Sequence, residues 1–161
     1  MFTKVTTKYD REIVASLARE IWTEHYAPII GKEQVAYMLD HFQSEQALAE
    51  QIKAGYCYFI IEDADQVVGY VGIQLKDEEL FLSKLYVKYD KRGQGYGRKA
   101  VYYCEKIAKG KGLKKIVLTV NKHNYSSIKA YEAIGFKNCG SVIQEIGGGF
   151  VMDDYNMEKI V

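Results

Sequence analysis

With 161 residues the chain is long enough to bury one substantial core and too short for two comfortable ones, so a single domain, 1–161, is expected. Its 22 Lys and Arg against 21 Asp and Glu are interspersed, which excludes the basic face that a nucleic-acid partner needs. The start, Met1-Phe2-Thr3-Lys4, has no signal-like apolar region and no stretch approaches the ~18 residues of a membrane span, so the expectation is a soluble, cytoplasmic protein without a membrane partner.

Taken in chain order, the first third is helical. Ile13, Val14, Leu17, Ala18 and Ile21 form a stripe behind Asp10 as the expected N-cap; Val35, Met38, Leu39 and Phe42 form a second; Leu48 and Ile52 form a third behind Ser44, stopped at Gly55. The pattern then turns to strands at 56–62, 67–75 and 79–88, separated by polar turns, as in a three-stranded meander. A helix follows from Gly97 to Lys109, with Ala100, Val101, Cys104, Ile107 and Ala108 on one face, and then a strand from Lys115 to Val120. Such a crossover implies two parallel strands. A helix from Asn124 to Ile134, stopped by Gly135, and two tail strands, about 141–146 and 155–160, complete an α/β chain with a mixed sheet and helices on its faces.

Cys57, Cys104 and Cys139 are odd in number and widely spaced, which fits neither a disulfide framework nor a zinc site. His25, His41 and His123 are dispersed, and no metal site is expected.

The junction between the third strand and the long helix carries the chemistry. It reads Arg92-Gly93-Gln94-Gly95-Tyr96-Gly97-Arg98, and glycines at alternate positions let several backbone N–H groups converge on an anion at a helix N-terminus. A nucleotide P-loop would end in Gly-Lys-Ser/Thr, whereas this one ends Gly97-Arg98-Lys99. A dinucleotide fingerprint would space its glycines G-x-G-x-x-G and place an acid at the end of the next strand, where this chain has Asn121. Alone, the loop leaves two readings open, a phosphate cradle and an ordinary Gly-rich turn.

Some thirty residues on comes Asn124-Tyr125-Ser126-Ser127-Ile128-Lys129-Ala130-Tyr131-Glu132-Ala133-Ile134-Gly135-Phe136. The pairing of R-x-x-G-x-G with N-x-x-S-I-x-x-Y-E-x-x-G-F resembles the GCN5-related N-acetyltransferase (GNAT) superfamily, over roughly residues 56–160. The resemblance implies a mixed, mostly antiparallel twisted sheet whose central parallel pair splays apart, with acetyl-CoA as acetyl donor in the opening and no metal. It divides the chain into a helical acceptor-side region, 1–55, and an acetyl-CoA-binding core, 56–161. Backbone groups of Leu85, Tyr86 and Val87 would pair with the pantetheine amides like an added strand, so that side-chain identity there says little. The diphosphate would rest on the N–H groups of Gly93, Gln94, Gly95, Tyr96 and Gly97, aided by Arg92 or Arg98. Asn124 and Ser127 would reach the pantetheine arm. Tyr131 occupies the position of the acid that protonates the departing thiolate, a task for which a phenol with a reference pKa near about 10 is suited.

The base is open between a carboxylate on the splayed strand and an ordered water chain: Glu79 is the weak candidate there, with Lys84 where a carboxylate would be wanted, and Glu24 or Glu33 of the first helices could instead attract a cationic amine. The expected reaction is direct attack of a primary amine on the thioester, with a small amine or polyamine as acceptor and a resemblance to bacterial polyamine acetyltransferases in the N-terminal third and the tail. Asp153 and Asp154 are read as loop decoration before a polyamine contact. The alternatives are a protein or peptide amino terminus as acceptor, or a non-catalytic acyl-CoA-binding module. A homodimer through the C-terminal strands is the assembly the resemblance suggests.

Overall fold

The computed structural model describes residues 1–161. The chain forms two units, residues 1–74 with 84–100, and residues 75–83 with 101–161. In the first, helix α1 (Lys8–Ile30) starts on a capping box: Asp10 N donates to Thr7 Oγ1 at 3.1 Å, and Asp10 Oδ2 accepts from Thr7 N at 3.1 Å and Thr6 N at 3.0 Å. The N-cap is therefore Thr7 and not Asp10, which sits three positions in with its carboxyl held below its ordinary range by the Thr6 and Thr7 amides. The apolar stripe extends beyond Ile21 to the buried Trp22 and Tyr26, and Pro28 is accommodated in the last turn before Gly31. Helices α2 (Lys32–Phe42) and α3 (Glu45–Lys53) follow the expected stripes, with Ser44 Oγ accepting from Ala47 N at 3.1 Å.

Strands β1 (Phe2–Lys4), β2 (Tyr56–Asp63) and β3 (Gln66–Leu75) pair antiparallel, β1 against Phe59–Ile61. Nothing in three N-terminal residues distinguishes β1 from a frayed end; it exists because β2 offers it an edge.

In the second unit the first residues of strand β4 (Glu79–Val87) pair parallel with strand β5 (Lys115–Asn121), confirming the crossover through helix α4 (Tyr96–Gly110). That ladder has three pairs, Glu79↔Lys115 to Phe81↔Val117, on a nine-residue strand. Helix α5 (Tyr125–Ile134) leads to β6 (Lys137–Gly147), and β7 (Phe150–Ile160) returns between β5 and β6, giving the seven-strand order β1-β2-β3-β4-β5-β7-β6. Both tail strands are longer than the expected 141–146 and 155–160. Gly140 and the Gly147–Gly149 turn read as breaks in sequence, but the ladder absorbs irregularities at Asn138/Gly140 and Glu145/Gly147. Asp153 and Asp154 consequently lie inside β7 and not in a loop.

Over β5 and β7 one face of the sheet is apolar. Ile116, Leu118 and Met157 are buried there, and Lys159, on the same face, meets Glu105 of α4 at 2.5 Å.

A buried polar knot ties α2 and α3 to the first unit's strands. Gln43, 1% exposed, accepts from Tyr70 Oη at 2.7 Å and donates to Tyr58 Oη at 3.3 Å, and Tyr58 Oη donates to Gln51 Oε1 at 2.5 Å. Burial pushes the Tyr58 phenol up to about 12 and that of Tyr70 well above its ordinary 10.0. Because both folded values are raised, the stability these phenols contribute is complete below the unfolded value and falls as pH rises from about 10 through about 12. Gln43→Leu leaves two buried hydroxyls short of a partner and is expected to cost about 2 kcal/mol in urea denaturation, with Gln43→Leu/Tyr70→Phe recovering part of the loss.

Candidate active site

The junction after β4 belongs to the first unit. The chain leaves β4 through a single 3-10 turn (Tyr89–Lys91), passes Arg92 and enters α4 at Tyr96, one residue before the expected start. Gly93 and Gly95 have φ of +74° and +87°, a conformation that side-chain-bearing residues rarely adopt. Gly97 is different: it lies in the helical first turn without a positive φ, and a Cβ there would meet nothing within 4 Å. Neither conformation nor internal packing requires glycine at this position.

The first intrahelical bond runs from Lys99 N to Gly95 O at 3.0 Å, so the amides of Tyr96, Gly97 and Arg98 precede it. Helices α1, α2 and α3 carry Asp10, Glu33 and Glu45 in their first turns, whereas α4, like α5 (Tyr125–Ile134), carries no acid there to neutralise its positive pole. The loop is held by its own side chains. Arg92 Nε donates to Val87 O at 3.1 Å, Gln94 Nε2 donates to Asp90 O at 3.4 Å, and the buried Tyr96 donates its hydroxyl to Asp63 of β2. That hydrogen bond to Asp63 raises the Tyr96 phenol above its ordinary value. Arg98 is exposed.

Leu85, Tyr86 and Val87 are only half-buried although β4 has neighbours on both sides in the strand order. The expectation that side chains matter little here fails at Tyr86. Its hydroxyl lies 3.1 Å from that of Tyr26, and its ring packs against Trp22 and Tyr70 with centroids 5.3 and 5.6 Å apart. Beneath it, a Cβ at Gly69 would fall 2.2 Å from Tyr86 O. Gly69 therefore lets β3 lie close under the segment, a role that a glycine inside a strand pattern signals in sequence and that the sequence reading passes over.

In the second unit Asn124 caps α5: Oδ1 accepts from Ser127 N at 3.4 Å, and Asn124 N donates to Asn121 O at 3.0 Å. Asn121 Oδ1 in turn accepts from His123 N at 2.9 Å. Tyr131, two turns into α5, is half-buried, with its ring against Phe136 at 5.4 Å. No residue of α5 is fully buried, Ile128 and Ile134 included, so α5 is not a core helix on which an aromatic is explained by packing alone. Glu79 stands at the paired start of β4, about 20 Å of extended strand from Leu85, a poor place for a base. Cys104 is buried, and desolvation pushes its thiol up to about 12, which removes it as a nucleophile.

The acetyltransferase (GNAT) family model matches residues 14–136, and the chain belongs to that family. Among curated proteins it is similar to human N-acetyltransferase 8B, 28% identical over 130 residues that are 77% of this chain and 53% of that protein. The chain thus spans about half the length of this relative. It is also similar to the spermidine N(1)-acetyltransferase of Thermoplasma acidophilum, 26% identical over 149 residues, 89% of this chain and 90% of that one. In fold it matches the crystal structure of PaiA N-acetyltransferase from Thermoplasma acidophilum in complex with coenzyme A, with a TM-score of 0.78 and 21% identity over 100% of this chain and 99% of that one.

Gly97→Ala separates the two explanations of the glycine. Replacing a helical glycine favours the helix by about 0.5–1 kcal/mol, so the melting temperature should hold or rise while coenzyme A affinity, read by calorimetric titration, falls at least about 10-fold. Equal affinity would make the glycine incidental.

Proposed function

We propose that the protein transfers the acetyl group of acetyl-CoA to a primary amine by direct attack, with a small amine or polyamine as acceptor. The observation that carries the donor side is Gly97, a glycine needed by neither φ nor packing, at a helix start whose amides and positive pole are left to an anion. The amides from Gly93 to Gly97 take the diphosphate, Arg92 and Arg98 add charge, and Leu85–Val87 offer backbone to the pantetheine arm. Asn124 and Ser127 contact that arm from the start of α5.

The acceptor must attack as a neutral amine, although an alkylammonium loses its proton only near about pH 10.4. As the tetrahedral intermediate collapses, the sulfur leaves with a proton, and Tyr131 supplies it. Similarity to a spermidine N(1)-acetyltransferase over nine-tenths of both chains favours small polycationic acceptors over peptide amino termini.

Thiol release from acetyl-CoA, assayed across polyamines, amino acids, aminoglycosides and peptides, tests the acceptor class; release with peptides alone would overturn it. Tyr131→Phe should lower kcat by about 10²–10⁴-fold, the range for a lost general acid, with coenzyme A affinity within about 2-fold of wild type. Unchanged kcat with the best acceptor would remove Tyr131 from the mechanism.

A further inference from the structure

The loop from Lys88 to Tyr96, which carries Gly93 and Gly95, is held at both ends by one distant element, the tip of the β2–β3 hairpin. At the entry, Lys88 N donates to Val68 O at 2.8 Å. At the exit, the hydroxyl of Tyr96, the first residue of α4, donates to Asp63 Oδ2. Asp63 ends β2 and pairs in register with Gln66, so both holding points lie within residues 63–68.

The tip is irregular in a way that its own sequence does not explain. The register steps from Ile61↔Gly69 to Glu62↔Val67, which leaves Val68 without a partner on β2, a bulge. Ala64 and Asp65 then close the turn at φ of +50° and +65°. Two-residue hairpin turns of this kind favour Asn-Gly or Asp-Gly. Asp tolerates the left-handed region, but Ala has a Cβ that crowds there and no polar group to offset it. Such a conformation persists where the surrounding structure over-determines it. Bulges, for their part, bend a strand and re-aim its side chains. Here the bulged residue offers its carbonyl to Lys88, and the residue just before the strained turn offers its carboxylate to Tyr96.

Tyr96 transmits that hold to the helix start. It is buried, Lys99 Nζ lies over its ring at 5.6 Å, and its hydroxyl is taken up by Asp63, so ring and hydroxyl are both engaged. Its backbone amide is among those that precede the first intrahelical bond, Lys99 N to Gly95 O. We propose that Asp63 is a positioning residue for the coenzyme: through Tyr96 it fixes the start of α4 in the geometry that receives the diphosphate, so that the tip of the β2–β3 hairpin sets coenzyme affinity. This rests on the acetyl-CoA reading above.

Charge and position pull in opposite directions at Asp63. By Coulomb's law alone, an acid bonded to the first residue of α4 repels a diphosphate bound there, and removing it should tighten binding. If Asp63 acts as an anchor, its removal weakens binding in spite of the lost repulsion, because the loop must then be ordered by the ligand.

Asp63→Ala should therefore raise the acetyl-CoA KM, and the coenzyme A Kd read by calorimetric titration, by at least about 5-fold, with kcat at saturating acetyl-CoA within about 2-fold of wild type. Asp63→Asn keeps an oxygen acceptor for the phenol while losing the charge, and its Kd should stay within about 2-fold of wild type. Tyr96→Phe should match Asp63→Ala, and the double variant should lose no more than about 2-fold beyond either single one, because the same bond is removed in all three. Equal or tighter binding by Asp63→Ala, an Asp63→Asn variant as weak as Asp63→Ala, or losses that add in the double variant overturn the proposal. So does a lower melting temperature with unchanged affinity, the mark of a purely structural bond. Should wild type bind no coenzyme A, the parent reading fails first, and amide exchange judges the anchor by itself. The Lys99 amide should exchange at least about 10-fold faster in Asp63→Ala than in wild type, and an unchanged rate overturns the anchor.

Discussion

An α-helix leaves its first amides without partners, and everything near the start of α4 is arranged so that those amides are not satisfied from within. The first turn holds no acid, and the glycine at its second position leaves open space where a methyl would sit. The surrounding bonds then read as supports. Tyr96 anchors the first turn to Asp63, Arg92 ties the loop back to Val87, and Gln94 closes on Asp90. The side chains of the loop thus use their hydrogen bonds to hold its shape. Preorganisation of this kind matters because a loop that had to order itself around a diphosphate would lose affinity to the entropy of doing so.

Polar burial separates into two kinds in this chain. The knot of Gln43 with Tyr58 and Tyr70 is closed among its own members and fixes how α2 and α3 meet the strands. The group at the end of β5 is built from short-range turns, His123 N on Asn121 and Ser127 N on Asn124, with Asp154 of β7 as the register partner of Asn121. Structural need explains the first group. The second stands at the start of the helix that bears Tyr131.

Much of this was legible in sequence because the long elements follow their hydrophobic periods: the stripes of α1 to α3, the meander, and the apolar face of α4 all emerge from spacing. The glycine turn was legible because alternate glycines signal local backbone geometry, and Gly93 and Gly95 take a positive φ. Boundaries failed where the deciding partner is distant or where two local signals compete. Asp10 looks like a cap, but Thr7 holds the cap position and uses Asp10 as its counterpart. β1 depends on an edge some sixty residues away, Phe2 lying against Ile61. The tail strands run through glycines that sequence reads as breaks. The role of the Tyr86 side chain was invisible for the same reason, since Tyr26 and Trp22 reach it from α1.

The position of β7 has a consequence for the order of assembly. It is the last strand in the chain, yet it lies between β5 and β6, with Lys115–Asn121 on one side and Lys137–Gly147 on the other. During synthesis those two strands emerge first and must wait, each with an edge exposed, until residues 150–160 arrive to fill the gap. Such long-range closure slows folding and leaves unpaired edges available to neighbouring chains in the meantime. The second unit should therefore close late, and β6 keeps one unpaired edge in the finished sheet.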